Sequence, residues 1–412
     1  MNVAFLVGKF PALSETFILD QITGLIDLGV SVNIFAFSRR EDGIVQPEVE
    51  QYALMEKTFH VQMPEARMRR VLSALRVLGS LPARRLPLAL SGLNALRYGR
   101  DAASLHLLHM LHPFMNGKDY DLMHCHFGNI GKYGRRLKQL GVANKLLVTF
   151  HGYDVSRLVH HPENRDTYLQ VFNAANLLLP VSEYWRQRLI DLGADPACTV
   201  VHRMGIDLES FTFHPRALEE GEPVRLFTTG RLVEKKGIEY GLRAVAEVIR
   251  RHPGWKIQYE IVGTGPLEER LNALIDELDL RGYAHLLGPL TRSEIQYKMR
   301  TAHLCLLPSV TAEDGDQEGI PVSLMEAMAT GLPVLSTCHT GIPELVEDGV
   351  TGVLSEERDV EGLADRLEYL IQHPELWSEM GRKGRAFVEE NHNNRLLIPE
   401  LKGIYESVVG GR

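Results

Sequence analysis

Cysteine is scarce. The four residues Cys125, Cys198, Cys305 and Cys338 in a chain of 412 lie far apart, with no CxxC pair. That spacing excludes a disulfide framework and a cysteine-built zinc site, and it points to a reducing, cytoplasmic setting. Long apolar runs are also missing, since none approaches the roughly 18 residues that a membrane-spanning helix needs. The opening run Val3–Val7 is too short and too soon interrupted to serve as the apolar region of a signal peptide, so a chain neither secreted nor transmembrane is expected. No Walker sequence, HExxH or GxSxG is present, which removes the commonest nucleotide-hydrolase, metalloprotease and serine-hydrolase readings. A concentrated basic surface is lacking as well: the formal net charge is −8, and nucleic acid is not an expected partner.

What is there reads as an ordinary globular protein, 44% hydrophobic and 24% charged. At about 150 residues per domain the length allows two to three domains. The charge is divided unevenly, with residues 1–210 carrying net +3 and residues 211–412 net −11, so only the first half is suited to anionic material. Short apolar runs alternate with helical patterns throughout, the mark of parallel sheets covered by helices on both faces. Strands are predicted at 3–8, 31–37, 121–126, 145–150, 176–181 and 198–202, then at 224–229, 257–262, 285–288, 303–307 and 333–336. Helices are predicted at 15–28, 183–193, 237–251, 266–278, 291–301 and 321–330, with two or three more in 359–410. The fold class is therefore α/β, two successive doubly wound units with a seam near 205–222, where Gly205, Pro215, Gly221 and Pro223 break the period.

One stretch interrupts this rhythm. Residues 66–100 hold eight arginines, no Asp, Glu or Lys, and many leucines. Two readings are equally open: a basic amphipathic segment lying on an anionic membrane surface, or a helical hairpin with its leucines packed on the sheet and its arginines solvated.

The richest passage runs from Glu318 to Val334. A loop leads into a helix with Pro321 expected at its first position, where a missing N–H costs nothing, and Gly331 ends the helix. The N–H groups of Val322 and Ser323 then stand unpaired at a positive helix end, ready for a phosphate. Glu326, one turn on, is placed to accept hydrogen bonds from a diol such as a ribose. Glu318 projects beyond the phosphate. Upstream, Gly230-Arg231-Leu232 and Lys236-Gly237 set two cations where a strand turns into a helix, a pattern suited to a diphosphate. The turn Val262-Gly263-Thr264-Gly265-Pro266 is read as a close approach of backbone to ligand. It fails as a dinucleotide fingerprint because Glu268 stands where a third glycine is needed, which disfavours hydride transfer. In the first half His151, before Gly152, closes a strand and faces a cleft. His124 and His126 share a strand face, but no further metal ligands lie near, so His126 is read as rim of the crevice.

Glu318 and Glu326 with these upstream elements, in this order, resemble the retaining glycosyltransferases of family four, which have the GT-B fold. The opening Gly8-Lys9-Phe10-Pro11-Ala12-Leu13-Ser14-Glu15 and the stretch Asp314–Pro321 are further similar to the bacterial exopolysaccharide, colanic-acid-type subgroup. The resemblance implies two Rossmann-like domains facing a cleft: 1–207 for the acceptor, 208–390 for the nucleotide sugar, and 391–412 as a helix crossing back to the first domain. It implies a UDP-sugar, in preference to a GDP-sugar, as donor, and a lipid-linked or growing saccharide as acceptor at the inner membrane face. Arg231 and Lys236 would neutralise the leaving diphosphate in place of a metal, so no cofactor is expected. Glu326 would hold the ribose, Val322 and Ser323 the phosphate, and Glu318, Gly319 and Ile320 the donor sugar. Gly263, Gly265, Pro289 and Leu290 would lie by the base. His151 would orient the reacting centre, and Gly8, Lys9, Phe10, Ser14, Glu15, His126 and Asp154 would line the acceptor side. Attack from the front face, with retention at the anomeric carbon, is expected.

The chain departs from the family where Ile320-Pro321 replace an aromatic residue and a glycine, removing a backbone donor, and where Arg203-Met204-Gly205 replace Pro-Asn-Gly. A soluble small-molecule acceptor, and a non-catalytic saccharide- or nucleotide-binding subunit, are the competing readings.

Overall fold

The structure, a computed structural model, describes residues 1–12, 15–38, 46–61, 64, 66–115, 119–159 and 162–411, apart from the side chains of Arg84, Pro162 and Glu163. It divides into two units: Met1–Pro180 with Arg188–His202 and Ile398–Arg412, and Val181–Gln187 with Arg203–Leu397.

In unit 1, β1 (Asn2–Lys9), β2 (Ser31–Ser38), β3 (Thr58–His60), β4 (Leu122–His126), β5 (Leu146–Phe150) and β6 (Leu177–Pro180) form one parallel sheet in the order β3-β2-β1-β4-β5-β6. Strands buried on both faces read as continuous apolar runs, which is why Val3–Val7 and Leu146–Phe150 are legible in the sequence. The expected strand at 198–202 is instead coil with one isolated bridge, Leu178 to Thr199. The last helix, Asn394–Gly410, brings Ile398, Leu401 and Tyr405 into the unit 1 core. Ile398 rests on Gly24, where a Cβ would meet it at 2.4 Å.

Unit 2 repeats the plan with β7 (Val224–Thr229), β8 (Ile257–Val262), β9 (Ala284–Gly288), β10 (Leu304–Leu306), β11 (Val334–Thr337) and β12 (Gly352–Ser355), ordered β12-β11-β10-β7-β8-β9 and parallel throughout. Both sheets thus have the 3-2-1-4-5-6 order of a dinucleotide-binding fold. The chain reverses direction of growth between β1 and β4 in unit 1 and between β7 and β10 in unit 2, and ligands of such sheets bind at the carboxyl ends there.

The contiguous division expected at 207/208 and 390/391 misses two things. Val181–Gln187 belongs to unit 2 because the Trp185 indole N–H donates to the carbonyls of Glu318 and Gly319 at 3.2 and 3.4 Å, and the Glu344 carboxylate accepts the Glu183 and Tyr184 N–H groups. The switch back to unit 1 falls at Ile398, inside the last helix rather than before it.

Residues 67–80 form a helix whose buried face is small, Ala74 and Val77. Its Met68, Val71, Leu72 and Leu75 are exposed, Met68 to 74% and Leu75 to 60%. Leu86, Leu90 and Leu96 in the same stretch are exposed too, so a hairpin with its leucines folded onto the sheet is not what forms.

Candidate active site

At the switch point of unit 2, the loop after β7 and the loop after β10 meet through an ion pair, Lys236 Nζ to Glu318 Oε1 at 2.8 Å, with both side chains almost wholly buried. Burial alone pushes the Glu318 carboxyl up. Lys236 and then Lys235 outweigh it, holding the group down to about 2. Lys235 is committed elsewhere, donating to Asp316 at 3.0 Å and to the Gln317 carbonyl at 3.2 Å. Of the lysine pair, Lys236 is therefore the one paired with Glu318.

Three neighbours fix the Glu318 backbone. Its N–H donates to His339 Nε2 at 3.1 Å, and its carbonyl accepts from Trp185 and from Thr340 Oγ1 at 3.1 Å. Because Nε2 accepts, His339 carries its proton on Nδ1 and donates it to Glu357 Oε1 at 2.5 Å. Burial raises the Glu357 carboxyl, but the His339 bond and the Thr311 N–H prevail and lower it. His339 and Glu357 escaped the sequence reading. The available signal was a histidine two residues beyond a strand, β11, in a sheet of this type.

The helix after Glu318 is Val322–Ala329. Pro321 is its cap, with φ −66° and ψ 115°, rather than its first turn. Leu324 and Met325 donate to the Pro321 carbonyl at 3.0 and 3.4 Å, so the N–H groups of Val322 and Ser323 are the ones left over at the positive end. Ser323 Oγ is buried there without a hydrogen-bond partner among the described residues. Glu326 is half-buried on the same helix, near Cys305 of β10, whose thiol is pushed up to about 12 by burial first and by the Glu326 charge second. Gly319 and Ile320 are buried beside the Thr340-Gly341 turn. Arg231 is exposed and in no ion pair among the described residues.

The glycines of this region let backbone segments pack closely. A Cβ on Gly263, at φ +143°, would stand 1.8 Å from the Gly230 carbonyl, and one on Gly265 would stand 2.4 Å from that of Leu232. Leu232 N–H donates to Thr264 O at 2.9 Å, so the turn packs against the β7 loop and carries the pairing of β7 and β8 onward. Gly237, at φ +61°, is pinned likewise against Pro308. Pro289 and Leu290 follow β9, whose Gly288 accepts the Gly263 N–H at 2.9 Å.

In unit 1, His151 ends β5 with its ring between Phe17, Phe127 and His126. Burial, and then the nearby His124, lower it to about 3, so this imidazole is neutral near pH 7. His126 is not on a rim: it is wholly buried, 3.1 Å from His151 Nε2 through its Nδ1, while its Nε2 has no partner. A buried N–H is rarely left orphaned, which places the His126 proton on Nδ1 as donor to His151. Below them His124 contacts Tyr405 OH at 2.5 Å and Thr149 Oγ1 at 2.7 Å.

Asp154 does not line an acceptor surface either. Fully buried, it accepts the His151 N–H at 2.9 Å and the Gly128 N–H at 2.7 Å, clamping the loops after β4 and β5 together. Phe127, between them, is held at φ +74°, an uncommon conformation for a side chain of that size. Burial raises the Asp154 carboxyl to about 6 against those backbone donors. Phe10 is likewise core, 4% exposed. Gly8, Lys9 and Glu15 stand at the carboxyl end of β1, and Ser14 lies outside the described residues. Among the described residues no three His, Cys, Asp or Glu side chains gather as a metal site.

Family comparisons agree with this geometry. The model of the group 1 glycosyl transferases matches residues 210–387, and that of the glycosyl transferase 4-like domain matches residues 14–205. The chain is 36% identical to the putative colanic acid biosynthesis glycosyltransferase WcaL of Salmonella typhimurium, over 99% of this chain and 100% of that one. It is also 36% identical to the amylovoran biosynthesis glycosyltransferase AmsK of Erwinia amylovora, with the same coverage. The crystal structure of HepE from Anabaena in complex with UDP and glucose shares the fold, with a TM-score of 0.73 at 19% identity, over 99% of this chain and 100% of that chain. The chain belongs to the family-four glycosyltransferases of GT-B fold, in the exopolysaccharide subgroup of its colanic acid and amylovoran relatives.

Proposed function

We propose that this glycosyltransferase takes a sugar from a nucleotide diphosphate, UDP in preference to GDP, and places it with retained anomeric configuration on a lipid-linked or growing exopolysaccharide. The observation that carries the reading is the Lys236–Glu318 pair at the unit 2 switch point, one turn before the free N–H groups of Val322 and Ser323. A diphosphate arriving there meets a helix end, Lys236 and the uncommitted Arg231, three sources of positive potential that stabilise charge as it develops on the leaving group without a metal. As the phosphates draw on Lys236, the Glu318 carboxylate becomes available to accept hydrogen bonds from sugar hydroxyls. Glu326 suits the ribose, and neutral His151 suits a hydroxyl of the transferred sugar. The departing phosphate takes the acceptor proton in a front-face attack.

The exposed Met68, Val71, Leu72 and Leu75, flanked by Arg67, Arg69 and Arg76, support contact with an anionic membrane at the inner face, where a lipid-linked acceptor is found. Thermal shift across a panel of nucleotide sugars, followed by release of nucleoside diphosphate from those that bind, tests the donor reading. Stabilisation by a UDP-sugar with turnover is expected, and inertness toward the whole panel overturns it.

A further inference from the structure

The donor site leaves unused a group of cations in unit 1. A cavity of about 580 Å³ opens between the short helices Arg100–Ala103 and His106–Leu111 and the longer Gly128–Gln139 and Pro162–Ala174. Arg100, Lys132, Arg135 and Arg136 border it against a single carboxylate, Asp101, which is taken by Arg136 Nε at 3.1 Å. Arg135 is the telling residue. It is 8% exposed, forms no ion pair among the described residues, and its Nε is sealed from solvent with no hydrogen-bond partner. Burial, and then Arg136, lower the affinity of that guanidinium for its proton. A buried, unpaired cation is costly, and a neutral side chain of similar volume would fold more stably.

We propose that this cavity is an anion site for a phosphate or diphosphate group, with Arg135 as its inner contact and Lys132 at its mouth. Arginine's planar fork suits phosphate oxygens, and the volume exceeds what a lone phosphate fills. The surroundings favour an amphiphile as the bearer of that group. The cavity residue Ser104 accepts from Arg70 at 3.2 Å, and Arg70 lies on the helix that exposes Met68, Leu72 and Leu75. The inference rests on the acceptor half of the proposed function alone, since the contacts proposed for the nucleotide diphosphate lie in unit 2.

Calorimetry with inorganic pyrophosphate, on the full chain with UDP saturating, tests it with Arg135→Met and Lys132→Gln. Binding that persists under UDP and falls about tenfold or more in each variant is expected, the scale of losing a charge-assisted contact. Without pyrophosphate, Arg135→Met should melt at the same temperature as wild type or higher. Flotation on phosphatidylglycerol against phosphatidylcholine vesicles identifies the source: loss of the phosphatidylglycerol preference in Arg135→Met assigns a lipid head, and an unchanged preference alongside lost pyrophosphate binding assigns a soluble phosphate. Pyrophosphate binding that UDP abolishes, that neither variant alters, or an Arg135→Met chain that melts lower, overturns the site. Failure to bind UDP would overturn the donor reading and leave this one standing.

Discussion

Replacing Lys236 with alanine separates the two tasks assigned to it. In the folded protein Glu318 titrates at about 2 against an ordinary 4.5, despite burial that pushes the other way. A depressed carboxylate contributes stability that is present above its unfolded pKa and lost as pH falls through its folded one. Two to three units correspond to about 3 kcal/mol at neutral pH, and with Glu318 only 6% exposed little of it is lost to solvent screening. Lys236→Ala removes the main partner and leaves a buried carboxylate, so the melting temperature should fall by about 6–12 °C at pH 7. Burial then raises Glu318 above its ordinary range, which reverses the sign of its own contribution: on acidification from pH 7 the variant should gain stability beyond what the wild type gains through Asp154. Transfer should slow by about two to three powers of ten, the scale of losing one electrostatic stabiliser. The assays are thermal melts between pH 4 and 8 and initial rates of nucleoside diphosphate release. A variant that melts within about 2 °C of wild type at every pH, or transfers within about threefold of it, would refute both the pairing and the role.

Three further outcomes follow from the geometry. Asp154, raised from 3.8 to about 6, contributes stability that is complete below 3.8 and lost as pH rises through 6. Asp154→Asn should remove that slope in melts from pH 4 to 7, and an unchanged slope would count against the clamp. Gly237→Ala forces a Cβ against the Pro308 carbonyl at positive φ, so unit 2 should lose about 4 kcal/mol or fail to fold, whereas a melt like wild type would contradict the packing. Glu326→Gln should weaken UDP binding by about tenfold in calorimetry, and an unaltered affinity would leave Glu326 as a helix-face residue only.

The double doubly wound plan was legible because parallel strands buried on both faces announce themselves as apolar runs, as at Val3–Val7 and Ile257–Val262. The short strands Thr58–His60 and Gly352–Ser355 were not, since three or four residues carry too little pattern to separate from loop. Val181–Gln187 was assigned to the wrong unit because its allegiance depends on Trp185 reaching a backbone 133 residues away, which no local pattern encodes. That Lys236 of the loop after β7 pairs with Glu318 of the loop after β10 joins two motifs the sequence shows 82 residues apart, while the Val322 helix end was readable from the Pro321 and Gly331 that bracket it. Asp154 and His126 were placed at a surface because a polar side chain at a strand end looks the same in sequence whether it meets solvent or the backbone of a neighbouring loop. Gly263 and Gly265 show the same ambiguity, since a glycine required by close approach looks the same in sequence whatever it approaches, and here a Cβ would meet the Gly230 and Leu232 carbonyls.

The central claim is that a nucleotide diphosphate docks on the Val322 helix end beside Lys236. A crystal structure of the protein with UDP tests it most directly. The account predicts the distal phosphate within hydrogen-bond distance of the Val322 and Ser323 N–H groups and of Lys236 Nζ, with the ribose on Glu326. Phosphate density elsewhere, with the Lys236–Glu318 pair intact and the helix end empty, would contradict it.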